Sequence, residues 1–70
     1  MNPIQHPEVP NLKPYRGRVR LPNGTLFGDY VDWFTDDEDA CAGCRAILEN
    51  QGYSVVSVAI ENGTVIASIR

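Results

Sequence analysis

Seventy residues leave room for one small domain and no more. The chain is 43% apolar and 21% charged, a composition that folds, and its formal charge of -3 argues against a protein that coats DNA or RNA. Length excludes a large substrate cleft or a separate cofactor fold, and a core of this size supplies only about 3–5 kcal/mol, so partner binding or a homodimer is in keeping with it.

Residues 1–14 carry four of the five prolines, Pro3, Pro7, Pro10 and Pro14. Such spacing prevents helix and central strand alike. It predicts an extended proline-rich arm over 1–14 and a single domain over 15–70. The stretch from Met1 to Pro7 has neither the basic start nor the apolar run of a signal peptide. No apolar run reaches the roughly 18 residues of a membrane span. Two cysteines are too few for a secreted disulfide scaffold. A soluble cytoplasmic chain without membrane contact is the expectation.

From Tyr15 to Leu21 the sequence alternates, with Tyr15, Gly17, Val19 and Leu21 on one side and Arg16, Arg18 and Arg20 on the other. That is the pattern of a half-buried strand. Asn23-Gly24 follows, a strong short hairpin signal. A second strand then runs from Thr25 to about Phe34. A two-residue turn sets Arg20 opposite Phe27, Arg18 opposite Asp29 and Arg16 opposite Val31. A bulge at Gly28 would shift one end by a residue.

Thr35 to Gln51 reads as a helix. Thr35 is placed as N-cap, with Glu38 three residues on as its capping-box partner. Asp36, Asp37, Glu38 and Asp39 fill the first turn, where the helix dipole favours negative charge. Ala40, Cys41, Cys44, Ile47 and Leu48 form one apolar stripe, and Gly52 stands where a C′ glycine belongs. Strands over Ser54–Glu61 and Thr64–Ile69 complete the chain, joined by Asn62-Gly63. Val56, Val58 and Ile60 are expected to share a face with Val65, Ala67 and Ile69. Gly24 and Gly63 are both expected at positive φ in type I′ turns. The fold class is α+β: a ββαββ order, a four-stranded mostly antiparallel sheet, and one helix packed on one face. The other face is left to solvent or a partner.

Three constellations bear on function. Cys41-Ala42-Gly43-Cys44 is a CxxC, but it lies inside the helix and on its apolar stripe, with four carboxylates in the turn before it. Those charges oppose a thiolate, so reduced, buried, structural thiols are the expectation. His6 is the sole additional soft donor, and no metal site or cofactor is expected. The acidic run, with Asp36, Asp37 and Asp39 as its candidate contacts, caps the helix, and with Asp29 and Asp32 added it offers a negative patch that could imitate phosphates. The outward face of the first hairpin groups Arg16, Arg18, Arg20, Phe27, Val31 and Trp33. Arginine and aromatic side chains together are the composition of interface hot spots and of base-stacking platforms.

Nothing catalytic is present. The glycines form no phosphate loop, and the single histidine lies in the proline arm, away from any serine or cysteine of the domain. In its general character (short, acidic, one sheet and one helix, no catalytic set) the chain resembles small phage- or mobile-element-encoded inhibitors such as anti-CRISPR proteins. The resemblance rests on no particular residue. It implies a non-enzymatic module that occupies a partner protein's surface, most sharply as an inhibitor of a nucleic-acid-handling complex. A binder of nucleic acid or nucleotide through the Arg and aromatic face, and a small thiol-redox protein, are the alternatives.

Overall fold

The computed structural model describes residues 11–70. They form β1 (Lys13–Arg20), β2 (Leu26–Phe34), α1 (Asp37–Asn50), β3 (Val55–Glu61) and β4 (Thr64–Ile69). The sheet runs β2-β1-β4-β3, with both hairpins antiparallel and the two inner strands, β1 and β4, parallel. This is the expected α+β sheet with one helix, and its strand order follows from joining two hairpins by their outgoing and incoming strands. β1 already includes Lys13 and Pro14. Pro14 pairs only with Trp33, because β4 joins from Arg16 onward, so its missing N–H leaves no gap in the ladder. The rest of the proposed arm, residues 1–10 with His6, lies outside the described residues.

The first hairpin departs from the two-residue turn. Leu21 N–H donates to the Thr25 carbonyl at 2.8 Å, and Gly24 N–H to the Leu21 carbonyl at 2.9 Å, which closes a three-residue loop over Pro22-Asn23-Gly24. Gly24 takes φ +90°, the left-handed position of such a loop. Gly28 then bulges out with φ +75°, and the register shifts between Gly17 and Val19. Val19 consequently pairs with Phe27, and Arg20 with Leu26, while Gly17 pairs with Tyr30 and Arg16 with Val31. Phe27 thus changes sides relative to the expectation. The second hairpin does have the tight turn: Asn62 and Gly63 both have positive φ, 51° and 79°.

In β3 a register shift between Val55 and Ser57 leaves Val56 outside the ladder and 53% exposed. Val55, not Val56, joins Val58 and Ile60 in packing against the core. The helix cap is Asp36 rather than Thr35: its Oδ1 accepts from the Asp39 N–H at 2.8 Å. Asp39 in turn accepts from the Thr35 N–H at 3.0 Å and from its hydroxyl at 3.1 Å. The cap thus begins one residue later than expected, with Asp36 in the N-cap place and Asp39, not Glu38, reaching back to Thr35. At the other end Gly52 N–H donates to the Glu49 carbonyl and Tyr53 N–H to the Leu48 carbonyl, with Gly52 at φ +95°. This Schellman closure satisfies two orphan carbonyls and turns Tyr53 back toward Leu48.

The core lies between α1 and one sheet face. Ala40, Cys44 and Leu48 are buried along the helix stripe. Val19, Leu48, Ala67 and Ile69 form one cluster, and Phe34, Ala40, Cys44 and Val65 another. Full burial of a side chain such as Leu48 contributes about 1.5–3 kcal/mol. Two glycines admit the aromatic rings. A Cβ on Gly17 would collide with the Tyr30 phenol, and one on Gly43 with the Phe34 ring. Gly43 gives up about 1 kcal/mol of helix propensity relative to alanine, and the closely seated ring occupies the space. Gly43→Ala should therefore destabilise the fold by about 1–3 kcal/mol in chemical denaturation, by overpacking. In a Phe34→Leu background the loss caused by Gly43→Ala should shrink.

Candidate functional site

Among the described residues, the sheet face opposite α1 carries no second layer. Because β1 is an inner strand, its alternate residues Arg16, Arg18 and Arg20 line the middle of that face. Beside them on β4 are Thr64, Ile66 and Ser68, paired in that order with the three arginines. Ile66 is only 6% exposed although it belongs to neither core cluster. It shares a shallow depression with all three arginines, whose alkyl stems flank it. Val31, opposite Arg16, is 64% exposed, and Trp33, opposite Pro14, is half-buried.

Each guanidinium is held in place. Arg16 grips Asp29 with two bonds, Nε to Oδ1 at 2.7 Å and Nη2 to Oδ2 at 2.9 Å. That contact keeps the Asp29 carboxyl below the ordinary aspartate range, while partial desolvation works against it. Arg20 reaches Glu61 in the same two-pronged way, at 3.2 and 3.1 Å. Arg18 donates Nε to the Gly28 carbonyl at 3.0 Å, an acceptor that the bulge places beside it. Exposed pairs of this kind contribute at most about 1 kcal/mol each. Their larger effect is on charge: Asp29 and Glu61 offset two of three arginines, and the face is left with one positive charge in excess.

The sequence-predicted residues are thus partly reunited. Arg16, Arg18, Arg20, Val31 and Trp33 share the open face. Phe27 does not: paired with Val19, it points to the helix side, since the Gly28 bulge moves it over. Asp36, Asp37 and Asp39 are exposed in the turn that begins just past Trp33, and each holds a local partner. Asp36 and Asp39 make the cap, and Asp37 accepts the Tyr15 hydroxyl at 2.8 Å. Partial desolvation, followed by that hydrogen bond and the neighbouring acidic charges, pushes the Tyr15 hydroxyl up to about 12.

Cys41 and Cys44 are free thiols, Cys44 buried and Cys41 half-buried. Desolvation raises Cys44, with Asp32 and Cys41 adding to the effect and the neighbouring Tyr30 hydroxyl opposing it. Burial likewise raises Tyr30, whose Oη is buried without a conventional hydrogen-bond partner. A thiol held this way is a poor nucleophile. Among the described residues no group of three or more histidines, cysteines and carboxylates is placed to hold a metal ion. No helix there is long and apolar enough to cross a membrane.

Sequence reasoning missed a cavity of about 410 Å³ between α1 and β2, lined by Phe27, Tyr30, Asp32, Ile47, Leu48 and Tyr53 among others. Its signal in the sequence is Gly28, whose bulge decides the side of Phe27. The chain matches no family model, and no curated protein or solved structure is similar to it.

The titrating groups of the core set an alkaline limit. Cys44, Tyr15 and Tyr30 have folded pKa values above ordinary values of 9.0 and 10.0. For an acid so raised, the contribution to stability is complete below the unfolded pKa and is lost as pH rises through the folded one. Thermal melts should show the midpoint falling steadily once pH passes about 9. In Cys44→Ala that fall should be shallower in its first part.

Proposed function

We propose that this chain is a non-enzymatic protein-binding module whose working surface is the open sheet face. The observation that carries the reading is an exposed Val31 and a half-buried Trp33 beside an arginine row that is hydrogen-bonded and nearly neutralised. Preformed ion pairs around an apolar and aromatic centre suit a protein interface, where charges set register and apolar contacts supply affinity. A phosphate chain would have to compete with Asp29 and Glu61 for two of the three guanidinium groups, and the face has lost Phe27 as a stacking ring. These points favour a protein over a nucleic acid, and the raised Cys44 disfavours thiol-redox chemistry.

The sharper form of the proposal is an inhibitor of a nucleic-acid-handling complex. Asp36, Asp37, Glu38 and Asp39 support it, because this exposed acidic turn follows directly after Trp33 and extends the same footprint.

A photo-crosslinking amino acid at Val31 should give a discrete protein adduct in extract of the source cell, and one at Glu49 should not. Trp33→Ala, and Arg16→Glu with Arg20→Glu, should each abolish that adduct while leaving the melting curve cooperative. Asp36→Asn with Asp39→Asn should weaken it only if the acidic turn is part of the contact. Tight, steeply salt-dependent binding to single-stranded oligonucleotides, lost with the arginine changes, would transfer the face to nucleic acid.

A further inference from the structure

The cavity on the helix side has a chemistry of its own; of the residues assigned to the open face, Val31 alone also borders it, on the edge strand β2. Three aromatic side chains line it: Phe27 from β2, Tyr30 from the same strand, and Tyr53 from the turn after α1. Phe27 and Tyr53 are 36% and 39% exposed, so two large rings stand partly in solvent around an apolar floor of Val19, Ile47 and Leu48. Local backbone structure places both residues. The Gly28 bulge sets Phe27 opposite Val19, and the Schellman closure folds Tyr53 back on the Leu48 carbonyl.

Among the described residues, Asp32 is the one acidic residue in the lining. Its Oδ1 accepts the Trp33 N–H at 2.8 Å. Its charge reaches inward, since it raises both Tyr30 and Cys44. Among the described residues no lysine or arginine lines the cavity to offset it. Aromatic faces attract cations through their quadrupole, and a carboxylate adds direct attraction. The volume lies within the range of small-ligand sites, about 300–1,000 Å³.

We infer that this cavity binds a hydrophobic ammonium: a small organic cation whose alkylated nitrogen lies against the Phe27, Tyr30 and Tyr53 rings within reach of Asp32. An ammonium carrying methyl groups fits better than a bare one, because it gives up less hydration on entering an apolar site. The inference does not depend on the role of the open face.

Benzyltrimethylammonium and its neutral isostere neopentylbenzene form the test pair, with binding followed by chemical-shift changes of the backbone amides. The cation should bind about tenfold more tightly than the neutral compound. The shifts should centre on Phe27, Leu48 and Tyr53 and leave Arg18 and Ile66 unmoved. Asp32→Asn, which keeps an oxygen for the Trp33 N–H, should remove most of the preference for the cation. Tyr53→Ala, at an exposed position, should weaken binding of the cation without unfolding the domain. An unstructured peptide with one trimethyllysine, run alongside, tells whether the same group is also accepted on a chain. Equal binding of cation and isostere, an unchanged preference in Asp32→Asn, or binding of none of the three probes would overturn the inference.

Discussion

The parallel pairing of β1 with β4 is the contact on which everything else depends. A two-stranded hairpin is marginal in water, and this chain consists of two of them plus one helix. Joining them through Gly17–Val65 and Val19–Ala67 makes a single four-stranded surface broad enough for α1 to cover. It also moves β1 from an edge to the interior, and so sets three arginines in the middle of a sheet rather than along a rim. The join is made of small residues, glycine, valine and alanine, which lets the helix approach closely. The helix answers with Ala40, Gly43 and Cys44.

With so little bulk at the centre, the volume is filled from the side. Tyr30 lies over Gly17 and Phe34 over Gly43, each ring entering where a side chain is missing. Phe34 packs at a tilt of 60° to Tyr15, with ring centres 6.0 Å apart, and Tyr15 hydrogen-bonds to the helix start through Asp37. Core, cap and sheet are thereby linked through one aromatic chain of contacts. The acidic turn is part of that linkage, so its carboxylates serve the fold whatever else they touch.

Much of this was legible in the residues. Strict alternation in Tyr15–Leu21 placed the arginines on one face, and the helix stripe and Gly52 marked α1 to within two residues. What was not legible came from one-residue choices with nearly equal local cost. Asn23-Gly24 fits a two-residue turn and equally the end of a three-residue loop, because Gly24 has positive φ in both. Thr35 and Asp36 are both good caps. Val55 and Val56 are chemically alike, and only the shift against Ile69 decides which is buried. Each choice moves a side chain through the sheet, since successive residues point to opposite faces. That is why the arginine face is legible in the sequence and the Phe27 cavity is not.

The first hairpin contains two departures that cancel. Its loop holds one residue more than a tight turn, and the Gly28 bulge adds one to β2 beyond it, so from Gly17–Tyr30 onward the strands meet as if neither were there. Length in this hairpin is therefore conserved as a sum, not position by position. With the longer loop alone, or the bulge alone, Val31 and Trp33 would point inward and Tyr30 and Phe34 outward; the two together leave them in place.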